Sequence, residues 1–98
     1  MAYALTIKEA KEGAISMEDV PAQGATAEIT VHGDVREIEI LISDKIVVEI
    51  QPVSAEVFIP RAHLHDHTGP QKSFSYVGYD QLGNSYYSDV VFYDILPS

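Results

Sequence analysis

Four successive segments between residues 25 and 59 alternate apolar and polar residues, and this period of two constrains the fold most strongly. Successive side chains of a β-strand point to opposite faces, so such alternation predicts strands with one buried and one solvated face. The helical period of 3.6 residues is scarcely visible. We therefore predict four inward-facing sets: Ala27, Ile29 and Val31; Ile38, Ile40 and Ile42; Ile46, Val48 and Ile50; and Val53, Ala55, Val57 and Ile59.

Turn-forming residues separate these segments. Gly33-Asp34 predicts a tight hairpin between strands Ala25–His32 and Val35–Ser43, and Ser43-Asp44 predicts the next turn. Pro60 should end the fourth strand, because proline cannot donate to a β-ladder. An earlier strand should place Tyr3, Leu5 and Ile7 on one face.

The last part of the chain predicts a long aromatic hairpin. Strands Ser73–Tyr79 and Ser85–Ile95 flank the turn residues Asp80–Asn84, and aromatic residues favour half-buried pleated surfaces. The second strand carries apolar residues on both of its faces. We therefore expect the hairpin to contact the core with one face and a partner with the other. Its aromatic residues are Phe74, Tyr76, Tyr79, Tyr86, Tyr87, Phe92 and Tyr93.

About seven short strands at regular spacing, without β-α-β alternation, predict an all-β antiparallel sandwich. With 98 residues, the chain should form a single domain spanning residues 1–98.

The composition narrows the function. Fifteen acidic and six basic residues give a formal net charge of −9, which argues against nucleic acid or an anionic membrane as partner. The chain has no cysteine, so disulfides and thiolate chemistry are excluded. Neither a signal peptide nor a transmembrane segment is evident, so we expect synthesis in the cytoplasm.

The final hairpin resembles immunoglobulin-like and fibronectin type III-like domains. The resemblance rests on Phe74-x-Tyr76-x-Gly78-x-Asp80-x-x-Gly83-Asn84-x-Tyr86, about 20 residues. It implies an immunoglobulin-like sandwich in which Phe74, Tyr76 and Gly78 face the core and Asp80 braces the turn. The chain lacks the cysteine pair and tryptophan of antibody-type domains.

The resemblance also implies a setting. Small acidic modules of this kind, without a signal peptide, are similar to phage virion accessory proteins that decorate capsids or tails. The implied partner is a capsid or tail protein, and the implied location is the virion. A homo-oligomer is a further expectation, with the histidines of residues 63–67 at a subunit contact. No cofactor is implied.

Three histidines, His63, His65 and His67, form the sharpest chemical pattern. An extended backbone would project all three imidazoles to one side, and imidazole nitrogens bind zinc, copper, nickel or iron. The alternatives are a solvated polar loop between Pro60 and Pro70, which we favour, and a pH-sensitive subunit contact.

Two further surfaces are candidates. Asp80, Asn84 and Asp89 offer oxygen ligands for calcium, although the same residues serve as turn formers. The other candidate is an aromatic patch for binding a partner, because tyrosine is enriched at interfaces; the alternative is that neighbouring side chains cover these rings. This patch would contain Val77, Tyr79, Tyr86, Tyr87, Phe92 and Tyr93.

Motifs for nucleophilic catalysis or phosphate binding are absent from the sequence. We therefore expect a non-enzymatic interaction module, with a virion protein as partner. The alternatives are a module that binds carbohydrate or a host surface, and a small metal-binding protein that uses the three histidines.

Overall fold

The computed structural model describes residues 4–31 and 33–97. Within them the chain forms nine β-strands, a 3-10 helix over Met17–Asp19 and one α-helix, α1 (Arg61–Asp66). The strands are β1 (Thr6–Ile7), β2 (Ala14–Ser16), β3 (Ala25–Glu28), β4 (Val35–Ile42), β5 (Lys45–Pro52), β6 (Glu56–Ile59), β7 (Gly69–Asp80), β8 (Ser85–Tyr87) and β9 (Val91–Leu96). Tyr3 and His32, which were predicted to belong to strands, lie outside the described residues.

The strands form two sheets. The smaller sheet has the order β1-β3-β6, and the larger has the order β2-β9-β7-β4-β5, with β8 also paired to β7. Pairing is antiparallel except between β2 and β9, which run parallel. Side chains from both sheets meet in one buried cluster, so the predicted all-β sandwich is confirmed. Its fully buried large members are Leu5, Ile7, Ile15, Ile38, Ile40, Ile42, Ile59, Leu64, Phe74 and Ile95.

The aromatic hairpin lies at the centre of the larger sheet. On β7, Phe74 and Tyr76 are buried in the core, and a Cβ added to Gly78 would lie 2.9 Å from Val35 Cγ1. The predicted second strand is divided into β8 and β9. Between them, the Tyr76 N–H donates to Ser88 Oγ at 2.8 Å, and Ser88 N donates to the Tyr76 carbonyl at 3.0 Å. A side chain thus replaces part of the backbone ladder.

The Gly33-Asp34 hairpin prediction is wrong. β3 pairs with β1 and β6 in the smaller sheet, whereas β4 pairs with β5 and β7 in the larger. The segment therefore connects two sheets instead of two neighbouring strands. The Ser43-Asp44 turn is confirmed, and both residues have positive φ, 52° and 66°, as a type I′ hairpin requires.

The inward set predicted for β5 is partly wrong. Ile46 and Ile50 are exposed, whereas Val47 and Val48 are both buried. The cause is a pair of register shifts against β4, one between Ile38 and Ile40 and one immediately after Ile40. Each extra residue on β5 reverses the direction in which the following side chains point. The prediction for Ala55 was also wrong, because this residue is exposed.

Candidate functional site

One side of the larger sheet faces away from the core, and we call it the outward face. Its positions follow from the register of β4 with β7: Glu37 lies opposite Tyr79, and Glu39 lies opposite Val77. These pairs alternate with pairs whose members are buried in the core, such as Ile40 with Tyr76. Alternation therefore places Glu37, Glu39, Leu41, Ser73, Ser75, Val77 and Tyr79 on the outward face.

Large apolar side chains are exposed on this face. Tyr87 lies opposite Val77 and is 73% exposed, and Phe92 lies opposite Ser73 and is 55% exposed. Ile46, opposite Leu41, and Ile50 are about half exposed, at 52% and 51%. Leu96, opposite Ser16 of β2, is 43% exposed. The outward face thus carries five large apolar groups in contact with solvent, while its reverse side forms the core.

The charged groups on the outward face are carboxylates. Glu37 and Glu39 project from β4, and Glu49 from β5. None of the three forms an ion pair with a Lys, Arg or His among the described residues. Arg36, next to Glu37 in the chain, instead directs Nη1 to the Gly33 carbonyl at 3.5 Å. The face is therefore apolar and acidic.

A hydrogen bond between β7 and β4 holds one of these carboxylates in place. The Tyr79 hydroxyl donates to Glu39 Oε1 at 2.6 Å. The bond to this carboxylate raises the pKa of Tyr79, with a smaller contribution from loss of solvation. Because Tyr79 contacts Oε1, the second oxygen of Glu39 can accept a hydrogen bond from another group.

Glu39 also lines an open groove at the β5 side of the outward face. The other lining residues are Ile46, Glu49 and Ile50, and the groove has a volume of about 380 Å³. Two isoleucines and two carboxylates therefore border one depression. This combination suits a ligand with both apolar and cationic groups.

The six residues predicted to form the aromatic patch do not share one surface. Tyr87 and Phe92 are exposed on the outward face, and Tyr79 is half-buried there. Val77 is buried, with 8% of its surface exposed. Tyr86 lies opposite Gly78, at the inward parity, and donates to Asp80 Oδ2 at 3.1 Å.

Tyr93 does not lie on the outward face, so its assignment to the aromatic patch is corrected. Its ring packs edge-on against Phe74 at 5.3 Å, and its hydroxyl accepts a hydrogen bond from Ile7 N at 3.3 Å. Tyr93 thus links the large sheet to the small one across the core.

The extended conformation considered for the three histidines is wrong, because His63 and His65 lie within α1 and His67 ends it. A helix advances about 100° per residue, so His65 points away from His63 and His67. The His67 ring donates from Nδ1 to the His63 carbonyl at 2.8 Å. Over residues 4–31 and 33–97, no three His, Asp or Glu side chains converge as metal ligands would.

The three residues considered for calcium are not brought together. Asp80 Oδ1 accepts from Leu82 N and Asn84 N, both at 2.9 Å, while Oδ2 accepts from Asn84 Nδ2 and the Tyr86 hydroxyl. These bonds, the Asn84 side-chain bond above all, lower the pKa of Asp80. Asp89 lies elsewhere, because it follows Ser88, which is hydrogen-bonded to Tyr76, four residues before Asp80 on β7. The hydrogen bonds of Asp80 therefore stabilise the turn between β7 and β8.

Sequence reasoning missed the β5 part of the outward face. The alternation places Ile46 and Ile50 in the core, and the pattern does not mark Glu39 or Glu49 as candidate binding residues. Val47 breaks the alternation, because it is an apolar residue in the set that otherwise holds Lys45 and Glu49, and that break is the available signal. The bulges that decide between the parities leave no mark in the sequence.

No protein-family model, curated protein sequence or solved structure matches the chain. No helix in the described part of the chain is long and apolar enough to cross a membrane.

Proposed function

We propose that this protein is a non-enzymatic interaction module that binds another protein through the outward face of its larger sheet. The observation that carries the proposal is the exposure of five large apolar side chains on this one face. They are Ile46, Ile50, Tyr87, Phe92 and Leu96.

The physical argument is the free energy of desolvation. Scattered exposed apolar residues are ordinary, but several on one sheet face form a surface that gains free energy when a partner covers it. Tyr87 is the most exposed aromatic residue of the face, and buried aromatic residues often dominate binding energy. Val77 lies between Tyr87 and Glu39 in the sheet and is 8% exposed, so it adds a packed apolar residue to this face.

The biological setting that we propose is the virion, with a capsid or tail protein as the partner. Support comes from the resemblance of the Phe74–Tyr86 hairpin to immunoglobulin-like modules and from the acidic composition. Acidic surfaces accelerate association with basic surfaces by long-range electrostatic steering.

A second candidate function is carbohydrate binding. The observation that favours it is the Tyr79–Glu39 hydrogen bond beside the exposed ring of Tyr87. Sugars stack on exposed aromatic rings and donate their hydroxyls to carboxylates. Binding of the purified protein to a glycan array, lost in Tyr87→Ser, would support this function over protein binding.

Affinity capture with matched variants tests the leading proposal. Wild-type protein and the variants Tyr87→Ser and Phe92→Ser would be immobilised and exposed to a lysate of the producing cells and to purified virions. Phe58→Ser is the control, because Phe58 is an exposed aromatic residue on the smaller sheet.

We expect a captured protein that wild type and Phe58→Ser retain and that both outward-face variants lose. Each captured protein would then be purified and titrated directly. The proposal fails if no protein is captured, or if the outward-face variants bind it as well as wild type.

A further inference from the structure

We propose that the groove formed by Glu39, Ile46, Glu49 and Ile50 receives a basic, apolar segment of the partner protein. In such a segment, an Arg or Lys would contact the two carboxylates while neighbouring apolar side chains cover the isoleucines. This inference rests on the proposed function and specifies the chemistry of its partner.

The carboxylates in the groove are available for a cation. Glu39 and Glu49 form no ion pair with a described Lys, Arg or His. Tyr79 binds one oxygen of Glu39 at 2.6 Å and so fixes the direction of the other. A preorganised carboxylate loses less conformational entropy on binding than a freely rotating one.

The isoleucines determine what must accompany the cation. Ile46 and Ile50 are about half exposed and lie in the same groove as the carboxylates. A polycation alone would leave their apolar surface in water. A segment that carries apolar residues next to its basic ones would bury that surface and pair the charges together.

Charge also argues against a second copy of this chain as the occupant. The outward positions of β7, β8 and β9 supply Ser73, Ser75, Val77, Tyr79, Ser85, Tyr87, Phe92, Asp94 and Leu96. None of them is a cation. A second copy that covered the groove with its β7, β8 and β9 strands would therefore bury Glu39 and Glu49 without a partner charge, which is costly.

Synthetic peptides that differ only in charge test the inference. The probes are short peptides that alternate leucine with arginine, with glutamine or with glutamate, titrated against the purified protein by calorimetry. We expect the arginine peptide to bind at least about tenfold more tightly than the glutamine peptide, the range that a charge-assisted contact supplies.

Charge-matched variants locate the binding. Glu49→Gln and Glu39→Gln should each weaken arginine-peptide binding by roughly three- to tenfold. Glu56→Gln removes the same charge from an exposed position on the smaller sheet and should leave affinity unchanged. Ile46→Ser should also weaken binding, because it removes apolar contact without altering charge.

Several results would overturn the inference: no binding of the arginine peptide, equal binding of the glutamine peptide, or equal losses in Glu49→Gln and Glu56→Gln. Sedimentation showing a dimer that Ile46→Ser dissociates would assign the groove to a second copy instead.

The proposed function fails separately, when Tyr87→Ser and Phe92→Ser retain the captured partner. If those variants lose the partner while the glutamate variants keep it, only the basic-segment inference falls.

Discussion

Tyr79 donates its hydroxyl hydrogen to Glu39 Oε1 at 2.6 Å, although Glu39 is not its direct cross-strand neighbour. Glu37 lies opposite Tyr79, and Glu39 lies opposite Val77, so the contact runs diagonally across β7 and β4. Diagonal neighbours are within reach of long aromatic side chains. The bond connects the aromatic part of the outward face to the groove at β5.

The Tyr79–Glu39 bond should be visible in a tyrosine titration. The bond raises the pKa of Tyr79 above its usual value of 10.0, so Tyr79 should ionise at higher pH than an unperturbed tyrosine. Its contribution to stability is complete below the unfolded pKa and is lost as pH rises through the higher folded pKa. The measurement is the near-ultraviolet tyrosinate spectrum of wild type minus that of Tyr79→Phe. In Glu39→Gln the difference curve should move to lower pH; an unmoved curve would contradict the assigned cause.

Asp80 should make stability depend on pH at the acidic end. Hydrogen bonds from Asn84 and the turn lower its pKa below 3.8, so its contribution is present above the unfolded pKa and is lost as pH falls through the lower folded pKa. Asp80→Ala should lower the denaturant midpoint at neutral pH, and the difference from wild type should shrink below pH ~4. Asp89→Ala is the control, and an equal loss there would argue against a special role for the Asp80 brace.

The two register shifts of β5 can be tested with two isoleucines. Ile40 is fully buried and Ile46 is half exposed. Ile40→Ala should lower the free energy of unfolding by about 2–5 kcal/mol, the usual cost of removing a buried aliphatic group. Ile46→Ala should cost less than about 1 kcal/mol. Urea unfolding measures both, and similar losses would mean that Ile46 faces the core.

β7 and β4 lie so close together at Gly78 that a larger residue at this position should destabilise the fold. A Cβ there would lie 2.9 Å from Val35 Cγ1 and 3.1 Å from Cγ2, whereas one at Gly33 would meet nothing within 4 Å. Gly78→Ala should therefore cost about 1–3 kcal/mol, the range for overpacking a core. Gly33→Ala should be near neutral. If the clash is the cause, adding Val35→Ala should cost less in the Gly78→Ala background than in wild type, as a double-mutant cycle in urea would show.

The class of fold and most of the core could be predicted from the amino-acid sequence. Alternation in β4 identified Ile38, Ile40 and Ile42 as inward-facing, and all three are fully buried. The role of Asp80 in the turn after β7 could also be predicted, because Asp80 and Asn84 form their hydrogen bonds within five residues of each other. Local chemistry of this kind needs no tertiary contact to be recognised.

Which apolar residues remain outside the core depends on how the strands pair in the folded protein. Ile46 and Ile50 follow the same alternation as Ile40, yet two register shifts against β4 turn them toward solvent. Tyr93 and Phe92 are adjacent aromatic residues, and the pairing of β9 with β7 sends one to the core and the other outward. A one-residue shift in register exchanges the two faces of a strand, and register depends on contacts between strands far apart in the chain. The candidate binding surface therefore depends on strand pairing, whereas the sandwich could be predicted from the alternation of apolar and polar residues.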